Sequence, residues 1–137
     1  MKYICLGYMD ERVFEGMNET EQTRFIDSCF SYDEQLRKNG QYIGGEALQP
    51  AVNAAMLRFR NGKVVVTDGP FAESKEQIGG IMILEANDLN HAIRLMSQHP
   101  SLSLGKGGGS WEIRPAADLA AMIENSERRR LNRTPVP

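Results

Sequence analysis

Asp68-Gly69-Pro70-Phe71-Ala72-Glu73-Ser74-Lys75-Glu76-Gln77-Ile78-Gly79-Gly80-Ile81-Met82-Ile83-Leu84 is a charged, glycine-framed turn that runs into an apolar strand. In that strand Ile81 and Ile83 alternate with Met82 and Leu84, so neither face of a sheet built on it can be left to water. Upstream, Met56 to Arg60 and Lys63 to Thr67 are β-rich arms around Asn61-Gly62, a pair that predicts a tight hairpin. Tyr3 to Tyr8 predicts a first strand. Asn18 with Glu21 is a capping-box start, Phe25, Cys29, Tyr32 and Leu36 recur at helical spacing, and Asn39-Gly40 is a helix stop. Gln41 to Ile43 is a short strand, a second helix runs from about Asp88 to Gln98 before Pro100, and Ser110 to Arg114 is the last strand. Strand, helix, strands, strand, helix, strand is the split βαβ order of an α+β, ferredoxin-like fold with an antiparallel sheet and an extra hairpin. Both helices fall on one face, so the other face needs a separate cover.

A chain of 137 residues suits one domain. Hydrophobic residues at 41%, charged ones at 25% and a net charge of -2 exclude a field that would gather nucleic acid or an anionic membrane. The apolar run after Met1 breaks at Gly7 and Asp10, too short for a secretory core or a membrane span, so the expected location is the cytoplasm. Cys5 and Cys29 have neither metal-ligand nor disulfide-framework spacing and read as reduced core thiols. Pro115 to Leu131 reads as a third helix through Leu119, Met122 and Ile123. It leads into a tail in which Arg128-Arg129-Arg130 and Arg133 lack the interleaved aromatics of a nucleic-acid surface, so no direct nucleic-acid partner is expected. The division is a domain over residues 1–115 and a C-terminal helix with a basic flexible tail over 116–137.

Asp68, at the end of a strand, is the first candidate for a general base, although Asp before Gly-Pro is equally a turn former. Glu73, Lys75 and Glu76 supply acid and base within the same turn, and Arg114 on the last strand is a partner for a carboxylate. These four are the candidate ligand-binding residues. His99, at the end of the second helix, joins Asp68 as a catalytic candidate. His91 falls off the apolar stripe and reads as a surface residue. Two histidines without a clustered third ligand give no metal site, and no cofactor motif is present. Gly105-Lys106-Gly107-Gly108-Gly109 enters a strand rather than a helix, which refuses a phosphate-loop reading. The residue types point to acid-base chemistry, such as elimination or isomerisation, on a small polar or aromatic molecule. No activated Ser or Cys arrangement is visible.

The Asp68-Gly69-Pro70-Phe71 stretch, with Met1-Lys2-Tyr3, Gly44-Gly45-Glu46-Ala47-Leu48-Gln49-Pro50 and Glu112-Ile113-Arg114-Pro115, resembles the DGPF-domain branch of the YCII-related family. The resemblance implies a homodimer of the dimeric α+β barrel type, with two sheets face to face. It also implies, as an alternative to an enzyme, an accessory module associated with an extracytoplasmic-function sigma factor. Enzyme-like branches of that family carry a His and Asp pair with an early histidine. This chain has no histidine before His91, which leaves Asp33 or Asp68 to find an imidazole elsewhere, with His99 the candidate.

Overall fold

The computed structural model describes residues 1–69, 75–104 and 107–133. Strands β1 (Lys2–Met9), β2 (Tyr42–Ala47), β5 (Gln77–Glu85) and β6 (Ser110–Pro115) form one antiparallel sheet in the order β2-β5-β1-β6. Among the described strands, β3 (Ala55–Arg60) and β4 (Lys63–Asp68) pair only with each other. With the ribbon set aside, the spatial order is second, third, first, fourth, which is the ferredoxin-like arrangement. Helices α2 (Glu19–Lys38) and α3 (Leu89–Met96) cover one face. The short α1 (Glu11–Glu15), two 3-10 turns (Ala51–Asn53, Pro100–Ser103) and α4 (Leu119–Leu131) complete the described elements. Among them no helix is long and apolar enough to cross a membrane.

Local chemistry sets the boundaries. Asn18 Oδ1 accepts from the Glu21 N–H at 2.8 Å, and Glu21 returns a carboxylate to the Asn18 N–H, the reciprocal box that starts α2. At its other end Gln41 N–H reaches the Leu36 carbonyl and Gly40 N–H the Arg37 carbonyl, with Gly40 at φ 75°, a Schellman stop. Asn61 at φ 52° and Gly62 at φ 77° make the two-residue turn of the ribbon, both in the left-handed region that this turn demands.

Register decides which side chains are buried. Tyr3, Cys5, Met82 and Leu84 point under the helices and are at most 3% exposed, packed with Leu36, Ala92 and Met96. Ile4, Leu6, Ile81 and Ile83 share the opposite face, and none is fully buried. On the helix side Gly7 stands opposite Trp111, whose ring lies over it: a Cβ there would come within 2.9–3.2 Å of three ring carbons. Gly7→Ala is therefore expected to cost about 1–3 kcal/mol by overpacking. The chain has a single tryptophan, so its emission would move in the same urea titration that measures the loss.

Candidate functional site

α2 places Phe25, Cys29, Phe30 and Asp33 above the end of the sheet where β1, β2 and β5 carry Gly7, Gly45, Gly79 and Gly80. Side chains are small there, so helix and sheet enclose a cleft of about 380 Å³. His99, Ser101 and Trp111 also line it.

His99 follows the end of α3, and its ring is buried at 5% exposure. Its Nε2 lies 3.1 Å from Asp33 Oδ1, and its Nδ1 lies 2.7 Å from Ser101 Oγ and 3.2 Å from the Ser101 backbone N–H. A backbone N–H can only donate, so Nδ1 is the acceptor and the ring proton sits on Nε2, donated to the Asp33 carboxylate. Ser101 Oγ accepts from the Trp111 indole N–H at 2.8 Å and turns its own hydrogen toward Nδ1. A directed chain thus runs from indole to hydroxyl to imidazole to carboxylate. Ring edges reinforce it, with His99 4.9 Å from Trp111 and 5.7 Å from Tyr32. The Gly109 N–H donates to the Ser101 carbonyl at 2.8 Å and ties down the 3-10 turn that carries the serine.

Asp33 is the more accessible partner, with 16% of its side chain exposed against 4% for His99. It is therefore the group offered to the cleft, held in place by the imidazole behind it. Burial, with the Asp33 charge added, pushes the Cys29 thiol up to about 11, and burial alone takes Cys5 to about 11. The same two causes raise the Tyr32 phenol, whose hydroxyl donates to the Leu95 carbonyl. At neutral pH both cysteines are thiols. Cys29 should react with iodoacetamide at pH 8 on the order of a hundredfold more slowly than an ordinary thiol, a difference that mass spectrometry can time. Both thiols lie above their unfolded values, so the stability they lend is intact below about pH 9 and is lost as pH rises toward about 11.

Of the candidate residues taken from the sequence, His99 lines the cleft. Asp68 ends β4, exposed and opposite Ala55 on the ribbon, and is not among the lining residues. Arg114 is 70% exposed at its side chain and donates to Glu112 on its own strand. Glu76 accepts from Ser110 Oγ at 3.3 Å. Lys75 adds an attraction to the Asp10 carboxyl, which Arg12 holds below the usual range chiefly by a side-chain hydrogen bond. Glu73 lies outside the described residues, as do Pro70, Phe71, Ala72, Ser74, Gly105 and Lys106. Of the two carboxylates left without an early histidine, Asp33 rather than Asp68 meets His99, and Ser101 and Trp111, which the sequence did not single out for this site, complete the series. One signal was available: Asp33 stands four residues after Cys29 and three before Leu36, a charge on the inward side of an amphipathic helix. Among the described residues no group of three or more His, Cys, Asp or Glu could hold a metal ion.

The sequence profile of the YCII-related domain matches residues 1–120. An uncharacterized protein of Rhizobium meliloti (strain 1021) is 32% identical over 121 residues, covering 85% of this chain and 93% of the relative.

Proposed function

This chain belongs to the YCII-related domain family, and from that premise we propose that its cleft binds a small molecule and moves a proton on it. The observation that carries this reading is the Asp33–His99 pair, 3.1 Å apart on the wall of a 380 Å³ cleft. A carboxylate oriented by a buried N–H donor can take a proton from a C–H or O–H acid and return it to another atom of the same molecule, the common step of isomerisation and elimination. Asp33 is the base in this account and His99 its positioning residue. Ser101 is held from both sides, by the Trp111 N–H and by His99, which suits a serine that fixes the imidazole better than a nucleophile.

The test needs no known substrate. Small phenols, ketones and lactones are incubated with the protein in deuterated water, and loss of C–H signal is followed by proton NMR. At least one should exchange faster with the parent protein than with Asp33→Asn, and Ser101 should stay unlabelled by a fluorophosphonate. Exchange at equal rates throughout would reject the base, and labelling of Ser101 would replace it with acyl transfer.

The Asp68-Gly69-Pro70-Phe71 signature supports placement in the DGPF branch. The open sheet face with Ile4, Leu6, Ile81 and Ile83 supports a homodimer of sheet against sheet.

A further inference from the structure

We propose, resting on the acid-base reading above, that the Tyr42 hydroxyl holds the carbonyl oxygen of the molecule on which Asp33 acts, and that this molecule is an uncharged ketone with an acidic C–H beside that carbonyl. The chain has four tyrosines. Three hydroxyls are engaged within it, Tyr3 with the Met1 sulfur, Tyr8 with Glu112 and Tyr32 with the Leu95 carbonyl. Tyr42 lines the cleft, and its hydroxyl is neither sealed from solvent nor hydrogen-bonded to any described residue. A phenol so placed keeps its donor for an occupant. Packing fixes where it sits. The Arg37 guanidinium lies 4.5 Å over the ring, and a Cβ on Gly45 would collide with the hydroxyl oxygen, so the hydroxyl fills the space that this glycine leaves. Arg37 stands one turn after Asp33 on α2, which brings phenol and carboxylate to the same stretch of helix and sheet.

Charge and shape select the substrate. The described lining residues include the carboxylates Asp33 and Glu46 and neither lysine nor arginine, so an anion would meet like charge and no partner. At about 380 Å³ the cleft is at the small end of the roughly 300–1,000 Å³ of ligand pockets, and glycines below with Phe25, Phe30 and Trp111 around suit a single flat ring. His99 occupies Asp33 Oδ1 and leaves Oδ2 to act. Oδ2 takes the proton from the carbon beside the carbonyl, the C–H electron pair becomes a C=C bond, and the carbonyl π pair moves onto oxygen, where the Tyr42 O–H meets the developing charge. The proton then returns from Asp33 to the same carbon, which is exchange, or to a conjugated carbon two bonds on, which is isomerisation. A ketone suits this better than a lactone because its C–H is the more acidic, and one neutral donor has less to supply.

Phenylacetone and phenylpyruvate test this on the full chain. They share a ring and a benzylic methylene beside a ketone, and differ in a methyl against a carboxylate. In deuterated water, proton NMR should show the parent speeding benzylic exchange of phenylacetone and not of phenylpyruvate, and Tyr42→Phe should slow the protein's contribution by roughly a hundredfold. The urea midpoint of Tyr42→Phe should match the parent, since the ring and its Arg37 contact remain and no internal hydrogen bond is lost. A lowered midpoint would make Tyr42 structural and overturn the role. Exchange by Tyr42→Phe at the parent's rate, with Asp33→Asn slow, would overturn the donor and leave the base standing. Acceleration of phenylpyruvate, or of phenols or lactones in place of phenylacetone, would overturn the uncharged ketone and again leave the base. Equal rates for the parent and Asp33→Asn would reject the base and the donor with it.

Discussion

His99→Ala is expected to lower the free energy of unfolding by about 3 kcal/mol, the largest loss from any polar substitution around the cleft. Three effects add. The ring is 5% exposed and sits edge-on to Trp111 and Tyr32, so its removal leaves a cavity. The Ser101 N–H loses its acceptor, and Asp33, with only 16% of its side chain exposed, is left charged without its donor. Urea denaturation followed by Trp111 emission measures the difference. His99→Phe separates the causes, because it restores a ring while still removing every hydrogen bond of the imidazole, and about 2 kcal/mol of the loss should remain. If the alanine variant lies within about 0.5 kcal/mol of the parent, the chain from Trp111 to Asp33 does not contribute as its distances require.

Asp33→Asn separates chemistry from stability. The amide oxygen can still accept from His99 Nε2–H, so the fold should hold to within about 1 kcal/mol. The carboxylate is gone, and deuterium incorporation should fall by roughly 10²–10⁴-fold. A second readout needs no substrate. Since the Asp33 charge helps to raise the Cys29 thiol, the variant should bring that thiol down and speed its alkylation at pH 8. Unchanged alkylation with unchanged exchange would remove Asp33 from the site. Faster alkylation alone would keep its geometry and remove its role as base.

Much of the fold was legible because its signals are local. The Asn18–Glu21 box, the Asn39-Gly40 stop and the Asn61-Gly62 turn each act over a few residues, and each element formed where those residues stand. The alternation of Ile81, Met82, Ile83 and Leu84 likewise gave the two faces of β5. The short α1 carries no apolar stripe of its own and was not legible. Charge in the turn after β4 drew attention to Asp68, Lys75, Glu76 and Arg114, yet composition reports only that charges are near in sequence. In the folded chain Glu76 accepts from Ser110, Lys75 attracts Asp10 and Arg114 meets Glu112, while Asp68 stands exposed at the end of β4.

The sequence by itself determined the element order, the sidedness of the strands and the family, since periodicity, caps and turn residues act through backbone geometry within a few positions. Only the tertiary structure decided the site. Asp33 and His99 are separated by 66 positions, and their hydrogen bond exists because α2 and the turn after α3 pack over the same end of one sheet. A buried carboxylate's need for a donor can be read from its place on a helix. Which donor answers it depends on distance through space, which no local pattern encodes.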